Sequence, residues 1–298
     1  MANTLTNLAG DIYTAADVVG RELSGYIPSV TMNADSARAA KDDNVRAAFT
    51  AASTVNDIAE SMTVPQGDDQ TVTASTLTLN KSRAVQIPYT GEDVLHLNNG
   101  AGYETVLGDQ IAQAMRALTN EMETDLAAVA QSGAGATDAG TDGTTPFASD
   151  LEVLAVARKN LVDNGCPTDD ISAVIDTSAG ANLRQIANLL NANQAGTTAI
   201  RDQGILIPVF GVNVRESGKI TGGDGACFHR SAIELAVRAP ALPSGGDQAD
   251  DALVIQDPHS GLVFEVRTYR GYRKAMIEVG ATWGVKAWKG DFIAKILG

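Results

Sequence analysis

The longest periodic pattern of apolar residues in the chain is helical. From about Gly102 to Gln131, apolar residues recur every three or four positions, and neither proline nor glycine interrupts them after Gly108. At about 1.5 Å per residue, this segment predicts a rod of roughly 45 Å. Its apolar stripe consists of Tyr103, Leu107, Ile111, Ala114, Met115, Leu118, Met122, Leu126 and Val129. Because the usual globular helix is shorter, the pattern predicts a structural spine.

The segment before this spine helix alternates with the period of a β-strand. Residues 71–79 and 84–89 predict two strands, and Asn80-Lys81-Ser82 predicts a hairpin turn between them. Upstream, Pro65-Gln66-Gly67-Asp68-Asp69 predicts the tip of a second reversal, so the segment as a whole predicts a long two-stranded excursion. An isolated ribbon is marginal in water and needs a partner surface. A hairpin folded back on its own subunit is the alternative.

The N-terminal part of the chain divides into a short helix and a polar segment. Ala9 to Tyr26 has apolar residues three and four positions apart and ends at Gly25, with Pro28 beyond, which predicts an amphipathic helix. Residues 32–44 are rich in Asn, Asp, Ser, Arg and Lys and contain few large apolar side chains. They predict an exposed arm that becomes ordered only against another surface.

A small-residue segment, 132–146, follows the spine helix and marks the strongest domain boundary in the sequence. Beyond it, helices and strands alternate, which predicts a compact α/β subdomain that ends in the loop 240–251. The predicted elements are a helix over 149–164, a strand over 172–176, a helix over 178–192, a strand over 206–210, and closing strands over 252–256, 262–269 and 275–286. The spine helix and the closing strands flank the subdomain, so we expect them to pack together as one discontinuous domain.

Composition fits a soluble globular protein of one large domain or two intimate ones. The 298 residues carry 22 Lys and Arg against 36 Asp and Glu, a net charge of −14, which disfavours long-range attraction to nucleic acid or anionic membranes. From Arg267 onward, however, seven cations face two acids, so an acidic body carries a basic C-terminal segment. This asymmetry would allow the acidic face of one subunit to attract the basic face of another. The alternative is that these charges are scattered over the solvated surface.

No targeting or cross-linking signal is evident. Cys166 and Cys227 stand apart and form no Cys-x-x-Cys pair, which excludes a disulfide framework and a zinc knuckle. No window approaches the roughly 20 apolar residues of a membrane span, and residues 1–4 lack the features of a signal peptide. We therefore expect synthesis and folding in a cytoplasm.

Candidate catalytic patterns each lack a required element. His96, His229 and His259 have no metal-ligand spacing to another His or Cys. Gly100-Ala101-Gly102 invites a dinucleotide-binding interpretation, but Thr105 replaces the third glycine and Glu104 would oppose a pyrophosphate. There is no Gly-x-Ser-x-Gly nucleophile motif.

Three further patterns are better explained structurally. Gly280 to Lys286 resembles a phosphate loop, but its glycine spacing is one residue short and Ala287 replaces the hydroxyl. Asp138 and Asp142 lack the spacing and the distal Glu of a calcium loop, so a flexible linker is the preferred interpretation. Trp and Tyr residues alternate with C-terminal cations, which suits base stacking, although a packed strand explains the same pattern. No catalytic, cofactor-binding or metal-binding residue is assigned, and no cofactor is expected.

The order of these elements resembles that of a known family of shell proteins. The local phrases that carry the resemblance are Asp163–Pro167, Val174–Leu183, Phe228–Ala236 and Asp257–Val266. In element order and in these phrases, the chain resembles the major capsid proteins of tailed bacteriophages, most closely the coat-protein branch of short-tailed phages. The same shell fold occurs in herpesvirus capsid floors and in encapsulin compartments. The resemblance covers nearly the whole chain and is cumulative.

The resemblance implies an α+β fold, the tailed-phage major capsid shell fold. Its parts would be an N-terminal arm (1–49), an extended β-ribbon loop (50–98), a peripheral domain with the spine helix (99–147 and 251–298) and an inserted α/β axial domain (148–250). The extended loop would lie over a neighbouring subunit. We expect intersubunit contacts at Gln66, Gly67, Asp68, Asp69, Asn80, Lys81 and Arg83.

The implied function is structural rather than enzymatic. Copies would assemble into hexamers and pentamers of an icosahedral shell around double-stranded DNA, bound without sequence specificity. The implied partners are a scaffolding protein, a portal protein and, in some members, cement proteins; no membrane is involved, assembly occurs in the host cytoplasm and the product is the virion. An encapsulin-type shell subunit is the nearest alternative. A soluble α/β enzyme with a ligand site at Gly100 to Glu104 or at Asp257 to His259 is the alternative from another class.

Overall fold

The structure is a computed structural model and describes residues 24–50, 53–55, 57–58, 60–64, 69, 71–98, 103–190, 204–220, 223–243, 249–258 and 260–298. Within these ranges the chain forms a six-stranded sheet, a five-stranded sheet and a two-stranded ribbon. Two large apolar cores accompany the two larger sheets. No helix among the described residues is long and apolar enough to cross a membrane.

The elements follow one another in a simple order. The strands are β1 (Thr31–Ala39), β2 (Asn44–Thr50), β3 (Val72–Thr78), β4 (Lys81–Thr90), β5 (Ala139–Gly140), β6 (Ile171–Ile175), β7 (Val212–Glu216), β8 (Gly225–His229), β9 (Ile233–Pro240), β10 (Ala249–Gln256), β11 (Val263–Gly271), β12 (Lys274–Ala287) and β13 (Ile293–Leu297). The helices are α1 (Gly91–Asn98), α2 (Tyr103–Ser132), α3 (Glu152–Asp163), α4 (Thr177–Gln185) and α5 (Ala187–Leu190).

The first core lies between the six-stranded sheet and α2. The sheet has the order β1-β9-β12-β11-β10, and β4 pairs antiparallel with β12. One stripe of α2 buries Ile111, Met115, Met122 and Leu126 against this sheet, where Trp283 of β12 is fully buried. The 30 residues of α2 match the predicted spine helix to within one residue at each end.

The second core accompanies the five-stranded sheet, whose order is β5-β13-β8-β6-β7. All five residues of β6 are buried, as expected for a central strand covered on both faces. Leu154, Ala157 and Leu161 of α3 contribute to the same core. The predicted helix over 149–164 and strand over 172–176 are therefore confirmed, with small shifts at their ends.

The chain passes between the two large sheets at three short crossings. Residues 133–138 lead from α2 to β5, Arg230–Ala232 lead from β8 to β9, and 288–292 lead from β12 to β13. These crossings are hydrogen-bonded to one another, because Gly135 N donates to Gly290 O at 2.8 Å and Trp288 N donates to Ala232 O at 2.7 Å.

The predicted hairpin between 71–79 and 84–89 is wrong. β3 pairs with β2 in the two-stranded ribbon, whereas β4 pairs with β12 of the six-stranded sheet. The predicted long two-stranded ribbon is present, but its two strands are β2 and β3. The alternating pattern predicts the strands correctly but carries no information on their partners, and β4 pairs with β12 over ten positions instead.

The polar segment 32–44 is not the predicted free arm. Most of it forms β1, which pairs parallel with β9 at the edge of the six-stranded sheet. Its polar composition suits an edge strand that is largely exposed to solvent. Residues 9–23 of the predicted N-terminal helix lie outside the described residues, and residues 24–26 are not helical.

Three predictions after the spine helix need correction. The segment 132–146 is not a loose linker, because Ala136 and Ala139 are buried and β5 pairs with β13. The predicted helix over 178–192 is interrupted between α4 and α5. The predicted strand over 206–210 is absent: Val209 and Val212 form an isolated bridge around a tight turn, and the regular strand begins at Val212. The closing strands are confirmed as β10, β11 and β12.

Candidate functional site

The segment that follows β2, at the tip of the two-stranded ribbon, carries four almost fully exposed apolar side chains. Val55, Ile58, Met62 and Val64, which we call the ribbon tip, follow β2 and are each at least 91% exposed. Monomeric proteins rarely expose such a run of large apolar residues, and contiguous apolar surface usually marks an interaction site. The ribbon tip is therefore a candidate contact surface for another molecule.

The base of the ribbon, in contrast, is packed on its own subunit. Leu77 and Leu79 are buried beside Ala236 in a small third core. The ring of Phe49 lies 5.5 Å from that of Trp288. Lys286 Nζ of β12 donates hydrogen bonds to Ser75 Oγ at 2.8 Å and to Thr76 O at 2.6 Å, and it lies 5.0 Å from the Trp288 ring centroid.

Replacing this lysine tests how firmly the ribbon base is held. We expect Lys286→Met to remove about 1 to 2 kcal/mol of local stability, because β3 loses two hydrogen bonds to a charged donor. Amide hydrogen exchange in β2 and β3 should become roughly tenfold faster, while exchange in α2 stays unchanged. Lys289→Met is the matched control, since Lys289 lies over the Phe292 ring. Unchanged exchange in the ribbon would contradict the proposed anchoring.

A close approach between two backbone segments fixes the point where the ribbon leaves the six-stranded sheet. Gly284 of β12 is buried, and a Cβ placed on it would lie 2.2 Å from Thr78 O and 3.0 Å from Leu79 Cα. Only glycine allows this approach of two backbones. The requirement for glycine is specific to position 284. A Cβ placed on Gly280, the other buried glycine of β12, would have the Ala84 side chain as its nearest neighbour, at 3.4 Å.

Charged residues attach the start of β4 to the spine helix. Lys81 Nζ lies 3.0 Å from Glu121 Oε1 and 2.8 Å from Asp125 Oδ1, and Arg83 Nε lies 3.1 Å from Glu121 Oε1. Partial burial lowers the pKa of Lys81, but the hydrogen bonds to Asp125 and Glu121 outweigh this effect, so the pKa is raised overall. Trp283 Nε1 also donates to Asp125 Oδ2 at 2.9 Å.

The predicted contact residues occupy different environments. Lys81 and Arg83 contact α2 of their own subunit, while Asp69 and Asn80 are exposed. Gln66, Gly67 and Asp68 lie outside the described residues. The assignment of these seven residues to an intersubunit contact stays a prediction. The exposed ribbon tip was not among them, although its apolar residues within a polar, turn-rich segment are visible in the sequence.

A buried carboxylate that sequence reasoning missed joins three parts of the chain. Glu123 of α2 is 2% exposed and accepts from the backbone N–H groups of Gly25 at 2.7 Å, Tyr26 at 2.8 Å and Ile27 at 3.0 Å. It also accepts from Ser217 Oγ at 2.8 Å. Burial, together with the nearby Glu123 charge, raises the pKa of Tyr26. This carboxylate thus fixes both the entry to β1 and the segment after β7.

Three ion pairs hold two other buried carboxylates. Arg184 contacts both carboxylate oxygens of Glu216 at 2.5 Å, in a bidentate geometry favoured by the planar guanidinium. Arg38 of β1 contacts Glu265 of β11 at 2.5 Å, and Arg267 Nε lies 3.3 Å from the same oxygen. The pair between Arg38 and Glu265 helps to fix β1, despite its polar sequence, to the sheet.

The candidate catalytic patterns do not form a site among the described residues. Gly280 to Lys286 lies within β12, and His229 Nδ1 accepts from Ser231 N at 3.2 Å as a cap. No group of three potential metal ligands occurs in the described part of the chain. Burial raises the pKa of the Cys227 thiol to about 12 and also raises that of Cys166. His259 and the glycines at 100 and 102 lie outside the described ranges.

Comparisons with known proteins identify the fold. No protein-family model and no curated protein matches the sequence. Among solved structures, the chain is similar to the cyanophage A-1(L) capsid asymmetric unit, with a TM-score of 0.64, 12% identity and 93% of each chain covered. It is also similar to a structure from Mycobacterium phage Che8, with a TM-score of 0.63, 17% identity, and 86% of this chain and 85% of that chain covered.

A virus-like particle from Pyrococcus furiosus is similar over 96% of both chains, with a TM-score of 0.52 and 10% identity. The chain therefore has the shell fold of tailed-phage capsid subunits, as the resemblance implied. The nearer resemblance to the short-tailed branch stays a prediction.

Proposed function

We propose that this chain is a major capsid protein whose copies form the hexamers and pentamers of an icosahedral shell around double-stranded phage DNA. The shared fold supports the general role of a shell subunit. The observation that carries the proposal is the ribbon tip, whose four large apolar side chains are almost fully exposed in the single subunit. A second copy that covers them would bury a group of apolar side chains that the described part of one subunit leaves exposed.

The energetics of such a contact favour a closed assembly. Burying one large apolar side chain contributes about 1.5 to 3 kcal/mol, which is modest for one subunit after the cost of association. In a closed shell each subunit both gives and receives a ribbon, so many modest contacts act together. Weak individual contacts also allow errors to dissociate and be corrected during assembly.

The charge of the chain suits a DNA container. With a net charge of −14, the subunit has little long-range attraction for a polyanion. A shell of such subunits encloses DNA without gripping it tightly, which favours packaging and release. The partners we propose for this role are a scaffolding protein and a portal protein, with assembly in the host cytoplasm and the virion as the final location.

The ribbon tip gives a direct test of this function. We expect the wild-type protein, alone or co-expressed with its scaffold, to sediment as particles that appear by negative-stain microscopy as closed shells. We expect Ile58→Ser combined with Met62→Ser to reduce the particle fraction at least tenfold while leaving the melting temperature of the unassembled chain unchanged, because both side chains are exposed.

The control for this experiment replaces apolar residues elsewhere on the surface. Leu95 and Leu253 are 64% and 37% exposed, so Leu95→Ser with Leu253→Ser makes the same chemical change away from the ribbon. This variant should assemble like the wild type. A wild-type chain that remains a monomer or dimer under both conditions would refute the shell function.

A shell that houses a protein cargo is the second candidate. The likeness to a virus-like particle over 96% of the chain favours it. The contents of purified particles separate the two candidates: nuclease-protected DNA supports a phage capsid, whereas a co-purifying enzyme in the absence of nucleic acid supports an encapsulin-type compartment.

A further inference from the structure

A small cavity lies where three parts of the chain meet. Its described walls come from the second half of α2, from the segment between β7 and β8, and from Tyr26 at the entry to β1. The cavity has a volume of about 230 Å³, and one water molecule takes about 30 Å³ in the liquid. It is smaller than a typical cofactor site but large enough for one small organic molecule.

Most of the side chains around this cavity are apolar. Ala127 and Ala128 of α2 contribute methyl groups, and Ile220 contributes an aliphatic side chain that packs against the first core. The two charged residues of the described lining, Lys219 and Asp224, have opposite signs. The lining therefore carries no net charge and suits an uncharged, largely apolar ligand.

The Tyr26 hydroxyl is a polar group that the fold leaves without a partner. Tyr26 is fully buried, and its ring stacks on that of Phe228 with 5.9 Å between the centroids. Within the described ranges, its hydroxyl has no hydrogen-bond partner. Gln131 of the same lining, in contrast, already donates from Nε2 to Gly225 O at 2.9 Å. Because a buried hydroxyl without a partner is costly, we expect an acceptor from outside the chain.

We propose that this cavity binds a small uncharged organic molecule that is mostly apolar and carries one carbonyl or hydroxyl oxygen. The apolar part would lie against Ala127, Ala128 and Ile220, and the oxygen would accept a hydrogen bond from the Tyr26 hydroxyl. Because Tyr26 is fully buried before binding, half-buried side chains such as that of Lys219 would have to rotate as the ligand enters. Rotamer changes of this kind are common on binding.

An uncharged ligand is favoured over an organic anion. Asp224 lines the cavity, and the Glu123 carboxylate accepts a hydrogen bond from the backbone N–H of Tyr26 at 2.8 Å. An anion would be repelled by both carboxylates and would gain only Lys219. Burial and the Glu123 charge raise the pKa of Tyr26, so its hydroxyl keeps its proton and acts as a donor at neutral pH.

Two probes of similar size separate the hydrogen bond from apolar packing. Cyclohexanone carries an oxygen that accepts a hydrogen bond, whereas toluene carries none. We expect both to bind saturably to the unassembled full chain in an NMR titration. A Kd on the order of 1 mM is expected for ligands with so few atoms.

Tyr26→Phe tests the hydroxyl, because it keeps the aromatic ring and removes one oxygen. We expect it to weaken the binding of cyclohexanone about fivefold, which corresponds to the loss of one hydrogen bond, and to leave the binding of toluene unchanged. Tyr272→Phe is the matched control, since Tyr272 is exposed and lies outside the lining. It should change neither affinity.

A second pair of variants tests the location of the site. Ala128→Leu adds an aliphatic side chain that fills the cavity, so both probes should bind at least tenfold more weakly. Ala117→Leu makes the same change at another exposed position of α2 that does not line the cavity, and it should leave both affinities unchanged.

The stability of the unliganded protein provides an independent measurement. Tyr26→Phe should keep or raise the melting temperature, because the hydroxyl that it removes has no partner within the described part of the chain. A clear fall would place that partner inside the chain and would overturn the inference. The same holds if neither probe binds, if Tyr26→Phe weakens both probes equally, or if benzoate binds more tightly than cyclohexanone.

This inference goes beyond the proposed shell function and does not depend on it. Every measurement uses the unassembled chain, whereas the shell function is tested by sedimentation and microscopy of particles. Failure of one therefore leaves the other intact.

Discussion

Replacing Glu123 by alanine is expected to destabilise the fold by about 4 kcal/mol, which corresponds to a fall of roughly 10 °C in melting temperature. The substitution leaves three backbone N–H groups and the Ser217 hydroxyl without their acceptor in a buried position. Each unsatisfied buried donor costs about 1 to 3 kcal/mol, and partial entry of water reduces the sum. Urea unfolding of the unassembled chain measures the effect.

Two further variants make this prediction specific. Glu123→Gln keeps one acceptor oxygen but places an N–H₂ group against a donor, so we expect an intermediate loss of stability. Asp109→Ala removes an exposed carboxylate from the same helix and should change stability by less than about 0.5 kcal/mol. If Glu123→Ala cost no more than Asp109→Ala, the buried carboxylate would not be a structural centre of the fold.

Gly284→Ala is the second change with a large expected effect. The new methyl group would approach Thr78 O to 2.2 Å, and its obstacles are backbone atoms that cannot rotate away. Either β12 or the ribbon base must therefore shift, at an expected cost of about 3 kcal/mol. We expect a lower urea midpoint and, because the ribbon changes direction, a loss of particles by sedimentation.

The same strand provides the control for this substitution. A methyl group at Gly280 would meet the Ala84 side chain at 3.4 Å, which is an ordinary contact. Gly280→Ala should therefore alter stability by no more than about 1 kcal/mol in either direction. Equal effects of the two substitutions would show that the close approach at Gly284 has no special role.

The sequence predicts well those elements that are defined by their own periodicity. The spine helix is predicted to within one residue at each end because one stripe of apolar side chains must face a core along its whole length. The closing strands β11 and β12 are predicted for a similar reason, since each is rich in β-branched and aromatic residues.

Features that depend on distant partners could not be predicted in the same way. The segments that form β3 and β4 look alike locally, yet they pair with strands that lie on opposite sides of them in the sequence. The role of Glu123 depends on residues almost one hundred positions away. A signal was nevertheless present: Glu123 lies one helical turn from Thr119 and Ala127, on the buried side of the stripe.

The three crossings between the two large sheets have a mechanical consequence. Two parts of a protein that are joined by one or two connecting segments can rotate about that joint. Here the connections number three, and they are hydrogen-bonded to one another through Gly135 and Gly290 and through Trp288 and Ala232. Rotation of one sheet against the other would have to strain all three together. In the proposed shell, we therefore expect the two large sheets to respond to internal pressure as one body, with bending confined to the ribbon.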